Sequence, residues 1–253
     1  TIAPATGHLM VVGGGQIAPA IVSRFIELAG GPDAPIVVIP TAGEDSVYPT
    51  DWSGLGMFTR AGARNLTIIH TRDRRLAESD SFATLLRRAR GVWFPGGRQW
   101  RLVDAYLGTR SERELHALLA RGGVVGGTSA GASILASYLV RGAREGNTIM
   151  MAPGYEQGFG FLRDVAVDQH VGARKRERDL QQVITAHPTL LGLGLDEGTA
   201  IVVRGDRAEV MGPGLLYVHN GGESPGAEQP YVTLRAGETL DLRARRRISA
   251  AQR

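Results

Sequence analysis

Cysteine is absent from the 253 residues, which excludes disulfides, thiolate nucleophiles and zinc–sulfur sites. Lysine is almost absent, because Lys175 is the only one and the other 28 of the 29 basic side chains are arginine. No run approaches the roughly 18 apolar residues that a membrane span requires. Aromatic residues make up 6% of the chain and do not interleave with its one basic run, RARRR at residues 243–247. We therefore predict a solvated tail there, and neither a nucleic-acid nor a membrane partner.

What remains is the composition of a soluble globular protein, with 43% hydrophobic residues, 21% charged residues and a net charge of +4. The length suits one large α/β domain. We predict a single domain over residues 1–253, in which the part from about residue 199 onward is a β-rich extension. The chain starts at Thr1 rather than at methionine, so residues upstream were removed or not included. A cleaved signal peptide is one explanation, and the cellular compartment stays open.

Short β-branched runs alternate with helical patterns through most of the chain. HLMVV, PIVVIP, LTIIH, GVWF and VVGG are predicted strands. Ser111 followed by Glu114 is a capping-box pattern for a helix that stops at Gly122, and further helices are predicted over ASILASYLV and residues 171–184. HNGGESPGAEQP, residues 219–230, is a predicted surface loop. The alternation predicts an α/β fold with a mainly parallel central sheet, helices on both faces and antiparallel hairpins near the C-terminus.

The densest group of small residues is GGVVGGTSAGASI, in which Ser129 lies between an apolar strand and a predicted helix. Gly127, Ser129 and Gly131 fit the G-x-S-x-G pattern of a nucleophile elbow, where a strained turn lifts one hydroxyl above the sheet. The neighbours must be small, because strand and helix pass close together. The helix N-terminus also directs N–H groups at a developing oxyanion. The alternative is an ordinary glycine-rich turn with Ser129 as its N-cap.

A serine nucleophile requires a base, and the base requires an acid that orients it. Of the six histidines, His170 ends the alternating strand VAVDQH, which places it at the sheet edge that also carries Ser129. Asp196 and Glu197 follow another apolar strand, LGLGL. Position alone does not choose between these two acids.

The loop WFPGGRQW supplies candidates for the rest of the site. Gly96 and Gly97 follow a predicted strand, and the N–H groups of this loop are candidates for an oxyanion hole together with that of Ala130. Gln99 lies two residues further on and is expected to face the same site. We predict no cofactor and no metal site.

These segments together resemble the cyanophycinase-like serine peptidases of family S51, which are related in fold to dipeptidase E and class I glutamine amidotransferases. The resemblance rests on FPGGRQWRL, GGTSAGAS, VDQH and HPTLLGLGLDEGTA, which keep the family's order and spacing from about Val11 to Met211. The roles that it implies are Ser129 as nucleophile, His170 as base, Glu197 as its partner, Gly97 and Ala130 as oxyanion donors, and Gln99, Asp168, Gln169, Arg174 and Arg176 as substrate-binding residues.

The resemblance also implies an activity and an assembly. Cyanophycinases release β-Asp-Arg from cyanophycin, a polymer of aspartate with arginine side branches, and they are usually homodimers. The chain departs from the family pattern in two places. GGGQIAP at residues 13–19 replaces an acidic GGAEDK-like stretch, and Arg178 and Asp179 stand where a later arginine is expected. The natural acyl donor therefore stays open between cyanophycin and aspartyl or isoaspartyl peptides.

Arg174 and Arg176 lie at the start of the helix predicted after His170, where the helix dipole disfavours cations. We interpret this position as a site for a substrate carboxylate, which a guanidinium binds through two parallel hydrogen bonds. The alternative is a solvated helix face in an arginine-rich chain.

Two other functions fit parts of the sequence. Gly13, Gly15 and Ala18 match the G-x-G-x-x-A dinucleotide fingerprint, which would indicate an NAD(P)-binding oxidoreductase. The acidic residue that should end the next strand, PIVVIP, is missing. A catalytically inactive amidotransferase-like binding module is the third hypothesis, which the presence of serine, histidine and glutamate together disfavours.

Overall fold

The computed structural model describes residues 1–220 and 229–248, and this part of the chain forms two β-sheets and eight α-helices. The strands are β1 (His8–Val12), β2 (Ile36–Val38), β3 (Leu66–Ile68), β4 (Gly91–Phe94), β5 (Val124–Thr128), β6 (Ala136–Tyr138), β7 (Leu162–Asp168), β8 (Leu191–Leu195), β9 (Ala200–Arg204), β10 (Arg207–Met211), β11 (Leu216–His219), β12 (Tyr231–Leu234), β13 (Thr239–Asp241) and β14 (Arg246–Arg247). The helices are α1 (Pro19–Ala29), α2 (Gly56–Arg60), α3 (Arg74–Ala77), α4 (Asp80–Arg88), α5 (Gln99–Tyr106), α6 (Arg110–Ala120), α7 (Ala130–Ser133) and α8 (Leu180–Ala186).

The larger sheet has nine strands in the order β14-β13-β10-β9-β1-β5-β4-β2-β3. The five strands from β1 to β3 in this order are parallel, whereas β9 pairs antiparallel with β1 and begins an antiparallel half. The smaller sheet has the order β12-β11-β8-β7-β6, with β6, β7 and β8 parallel. The predicted α/β class with parallel central strands is confirmed. The late antiparallel strands extend two sheets, where the sequence predicted one.

A single hydrophobic cluster draws side chains from both sheets, including Val11 and Val125 from the larger one and Val165 and Leu193 from the smaller one. A second cluster fills the space between the larger sheet and α1, where the ring of Phe25 packs edge-on against Trp93 at 5.1 Å between centroids. Burying both sheets against each other favours a single domain, which stays a prediction.

The helix expected to begin with a capping box begins differently. Thr109 is the N-cap of α6, and Ser111 lies inside its first turn. The buried Ser111 hydroxyl donates to the main-chain carbonyl of Ala77 at 2.7 Å, so it serves the contact with a neighbouring segment. The capping-box prediction was therefore wrong. The helix itself ends at Ala120, and Arg121 separates it from Gly122, where the sequence predicted the stop.

Two predicted helices are shorter than the sequence pattern indicated. ASILASYLV leaves the helical conformation after Ser133 and enters β6, because pairing with β7 in the smaller sheet satisfies its main chain. After His170 the chain forms a 3₁₀ turn at Gly172–Arg174, and Lys175 follows with a φ of 55°. The helix proper, α8, starts only at Leu180, so no helix start exists at the two arginines.

The basic run near the C-terminus is a turn that leads into a short strand, and not a tail. Arg246 and Arg247 form β14 and pair with Leu240 and Asp241 of β13, with both arginines exposed.

Most of the predicted loop at residues 219–230 lies outside the described residues. Among the residues that the structure describes, no helix combines the length and apolarity needed to cross a bilayer.

Candidate active site

Ser129 lies at a sharp turn between the end of β5 and the start of α7. Its backbone has a φ of 56° and a ψ of −118°, a conformation that side-chain-bearing residues rarely adopt and that the surroundings must hold. A Cβ on Gly127 would collide with the carbonyl of Gly131, and one on Gly131 would collide with the carbonyl of Phe94. The two glycines are therefore required by the close passage of strand and helix, as the elbow pattern predicted.

His170 reaches Ser129 from the end of β7. Its Nε2 lies 2.9 Å from the Ser129 Oγ, and its main-chain N–H donates to the Gly13 carbonyl at 2.7 Å. His170 also has a left-handed backbone, with a φ of 54°. Two non-glycine residues in strained conformations thus face each other across a hydrogen bond.

Glu197 completes the hydrogen-bonded chain, and Asp196 does not. The Glu197 Oε1 lies 2.6 Å from His170 Nδ1, with the Glu197 side chain 42% exposed. Asp196 instead accepts main-chain N–H groups from Gly172 and Leu215 at 2.8 and 2.9 Å. The choice that strand position left open is therefore settled by side-chain direction.

The glycine-rich turn after β1 makes room for this chain. A Cβ on Gly14 would fall within the ring of His170, and one on Gly15 would touch the Glu197 side chain. The space above this turn, where a dinucleotide pyrophosphate would approach, is filled by the imidazole. Of the fingerprint glycines, Gly15 thus packs against the glutamate and Gly13 against the main chain of Asp196, so the oxidoreductase hypothesis loses its structural basis.

Burial is the main influence on the pKa of His170 and lowers it from the ordinary histidine value. The hydrogen bond that the ring donates to Glu197 raises it, whereas the nearby Arg174 and Arg176 lower it further. The net direction is down, so at neutral pH the ring is uncharged. With Nδ1–H donated to the carboxylate, Nε2 is left as an acceptor for the Ser129 hydroxyl proton.

The two candidate oxyanion donors belong to the residue directly after the serine and to a loop that packs against it. Ala130 begins α7 directly after Ser129 and is fully buried. Gly96 lies so close that a Cβ on it would be 3.1 Å from the Ser129 Cβ, and Gly97 has a φ of 140° that side chains rarely adopt. Within the described residues, neither the Ala130 nor the Gly97 N–H donates to a protein acceptor. Both retain the capacity to donate to a bound group.

Gln99 is the first residue of α5 and is 1% exposed, so its side chain is closed off from solvent. Gln169 is 3% exposed, and its Oε1 accepts a hydrogen bond from Arg176 Nη1 at 3.3 Å. Arg174 is exposed and close enough to His170 to affect its pKa. Of the five residues expected to contact substrate, Arg174 is the one whose side chain is open to solvent.

Asp168 and Arg176 are placed differently from the sequence expectation. Asp168 is fully buried, and both of its oxygens are bound by Arg141 at 2.7 and 2.8 Å. Arg176 is 7% exposed and donates to the main-chain and side-chain oxygens of Gln169. The cause is Arg141, which sequence reasoning missed. Its one signal was an isolated charge directly after the apolar run ILASYLV.

Comparison with known proteins identifies the class. Residues 9–211 match the model of peptidase family S51. The chain is 31% identical over 219 residues to a cyanophycinase of Geminocystis herdmanii, covering 84% of this chain and 80% of that one. It is 34% identical over 221 residues to a cyanophycinase of Thermosynechococcus vestitus, covering 84% and 67%.

Solved structures show the same fold. A peptidase from an acI-B1 Actinobacterium superposes with a TM-score of 0.71 at 23% identity, covering 94% of this chain and 98% of that one. A putative peptidase E protein from Listeria monocytogenes gives 0.56 at 17%, covering 82% and 98%. Fold and sequence together define a serine-type peptidase of the α/β class. The chain belongs to peptidase family S51.

Proposed function

We propose that this protein is a serine peptidase of the cyanophycinase type, which hydrolyses peptide bonds of aspartate-containing substrates through an acyl-enzyme. The observation that carries the proposal is the hydrogen-bonded chain from Ser129 Oγ through His170 to Glu197, built on a strained turn. Nucleophile, base and orienting acid in hydrogen-bond reach of one another are the geometric signature of this chemistry.

The reaction follows from this geometry. As Ser129 Oγ attacks the scissile carbonyl carbon, His170 Nε2 takes its proton, and Glu197 stabilises the imidazolium that forms. The carbonyl oxygen becomes an oxyanion and accepts hydrogen bonds from the N–H groups of Ala130 and Gly97. These bonds strengthen as negative charge develops on the oxygen in the transition state. His170 then gives its proton to the departing amine. Water, deprotonated by the same ring, hydrolyses the acyl-serine and regenerates the enzyme.

The substrate follows from the relatives and from one exposed cation. The curated relatives at 31 to 34% identity bear the name cyanophycinase, and Arg174 projects into solvent beside His170. An exposed guanidinium at this point suits a free carboxylate of an aspartyl or isoaspartyl group. We propose release of β-Asp-Arg from cyanophycin as the activity, with related aspartyl peptides as the alternative donors.

Two measurements test the proposal. A fluorophosphonate probe should label the protein stoichiometrically, with the adduct on Ser129 in a peptide map. Purified cyanophycin should yield β-Asp-Arg faster than Asp-Xaa dipeptides yield aspartate. Labelling at Ser129 without β-Asp-Arg release would keep the serine peptidase and reject the polymer substrate. An unlabelled protein would reject the peptidase mechanism and favour a binding module.

The homodimer implied by the family resemblance is part of the proposal. Light scattering behind a sizing column should give about twice the chain mass of 27.0 kDa. A mass of one chain at micromolar concentration would reject it.

A further inference from the structure

A buried ionic cluster lies beside the loop that carries His170. Arg141 is 1% exposed and forks onto the fully buried Asp168, with Nε 2.7 Å from Oδ1 and Nη2 2.8 Å from Oδ2. Nη2 also donates to Asp179 at 2.6 Å, and Nη1 donates to the Asn147 carbonyl at 2.8 Å. Every nitrogen of the guanidinium therefore has an oxygen partner.

The cluster is tied to the catalytic segment through main-chain groups. Asp168 Oδ1 also accepts the N–H of Gln169, the residue directly before His170, at 2.9 Å. At the other end, the N–H of Asp179 donates to the carbonyl of Arg176 at 3.0 Å. Arg176 in turn donates to the Gln169 carbonyl at 3.1 Å. One guanidinium thus fixes both ends of the segment at residues 168–179.

Stability alone is a poor explanation for this arrangement. Desolvating a buried ion pair costs about as much as its attraction returns, so an apolar replacement of similar volume is often as stable. The segment that the cluster holds contains His170, whose φ of 54° must be maintained by its surroundings. On the side of β1, the bond from the His170 N–H to Gly13 supplies one restraint. The Arg141 cluster supplies a second restraint, through the bond from the Gln169 N–H to Asp168.

We propose that Arg141 is a positioning residue for the peptidase reaction. Through Asp168 and Asp179 it holds the segment at residues 168–179, so that His170 Nε2 stays within hydrogen-bond distance of Ser129 Oγ. The proposal rests on the proposed function, in which His170 is the base. Arg141 acts at a distance, because its bonds reach Asp168, Asp179 and Asn147 and not the reacting groups.

The test compares Arg141→Met, Arg141→Lys and Asp179→Asn with the wild type, at a temperature well below the unfolding midpoint of each variant. Three quantities are measured: the second-order rate of fluorophosphonate labelling at Ser129, and kcat and KM for β-Asp-Arg release. We expect Arg141→Met to lower both the labelling rate and kcat by roughly 10- to 100-fold, the scale of about 1 Å of misplacement of a reacting group. KM should change less than about threefold. Lysine should restore part of the loss, because it keeps the charge without the fork.

Asp179→Asn guards against a variant that fails to fold. The Asp179 side chain is 37% exposed, so its loss leaves the Arg141–Asp168 fork in place and should lower the labelling rate by a few-fold. Arg121→Met is the matched control, because the Arg121 guanidinium donates to the Leu86 and Ala89 carbonyls far along the chain from His170. It should lower the unfolding temperature with an unchanged labelling rate.

The outcomes separate the two proposals. Wild-type labelling rates and kcat in the folded Arg141 variants, or in Asp179→Asn if those do not fold, would overturn the positioning role and leave the peptidase intact. A loss confined to KM would also overturn it, since a displaced base acts on kcat. If the wild type itself is not labelled at Ser129, both the function and the role of Arg141 fall.

Discussion

Two hydrogen-bonded groups of polar side chains hold the segment around His170, and they differ in their unused hydrogen-bonding capacity. The chain from Ser129 to Glu197 ends in a carboxylate that is 42% exposed, beside main-chain N–H groups that have no acceptor in the described part of the molecule. The Arg141 cluster is closed, because every guanidinium nitrogen is bonded and Asp168 is fully buried. Backbone strain does not separate them, since Arg141 itself has a φ of 59°. Unused hydrogen-bonding capacity does separate them, and it lies on the side where we propose that the substrate binds.

The largest expected effect breaks the open chain at its first atom. Ser129→Ala should lower kcat by about 10⁴-fold with the fold intact, because the nucleophile is removed while the strained turn is kept. Steady-state kinetics and circular dichroism measure both. Ser133→Ala is the matched control on the same helix: among the described residues its buried hydroxyl has no hydrogen-bond partner, so activity should be retained. Near-normal turnover by Ser129→Ala would end the serine mechanism.

Breaking the far end of the open chain should cost less. Glu197→Gln should lower kcat by about 10²- to 10³-fold, because the imidazolium loses its counter-charge while water partly replaces the exposed carboxylate. Glu197 raises the pKa of His170, so the acidic limb of kcat/KM should move to lower pH in the variant.

The neighbouring acid provides the contrast. Asp196→Asn replaces one of the two oxygens that accept main-chain N–H groups with an amide that can only donate, so it should lower the unfolding temperature without moving that limb. A pH profile that shifts in Asp196→Asn and not in Glu197→Gln would show that Asp196, and not Glu197, is the acid that acts on His170.

The buried surroundings of the Arg141 cluster should make the free energy of unfolding depend on pH. Burial lowers the pKa of His219, which lies within reach of the Asp168 charge, from 6.5 to about 4. Between these values the unfolded chain binds a proton that the folded protein does not, so stability is full above pH 6.5 and is lost as the pH falls toward 4. The loss amounts to at most about 3 kcal/mol. Denaturant titrations at several pH values measure it, and a His219→Gln variant should show a flatter dependence. An equal slope in both proteins would remove His219 as the cause.

The smallest effect distinguishes two arginines that are two residues apart. Arg174→Ala should lower kcat/KM for substrates with a free carboxylate by about 10-fold, the scale of one charge-assisted hydrogen bond, and by less for amidated substrates. Arg176 is buried against Gln169, so Arg176→Ala should affect acidic and amidated substrates equally. A charge-selective loss in Arg176→Ala instead would show that the buried arginine contacts the substrate.

Sequence spacing predicted the features of the site that depend on residues close together in the chain. The glycines around Ser129 and the strand that ends before His170 follow from steric and alternation rules, and both were found in the expected place. The choice of Glu197 over Asp196 depends on side-chain direction after β8, which periodicity does not encode. The pattern of ASILASYLV predicts a helix, but a short apolar run fits the helical and the strand period alike. Pairing with β7 makes its second half a strand. The Arg141 cluster joins residues up to 38 positions apart, so no local pattern indicates it.

The central place of β1 has a consequence for biosynthesis. β1 is made first, yet its neighbours β5 and β9 lie more than 110 and 180 residues further on, and its Gly13 carbonyl and Gly14 support His170. Ser129, His170 and Glu197 leave the ribosome in that order, separated by 41 and 27 residues. At roughly 5 to 20 residues per second, the nucleophile precedes its acid by several seconds. During that interval β1 has neither β9 nor a complete site beside it, so a growing chain carries an inert serine until Glu197 and β9 have been made.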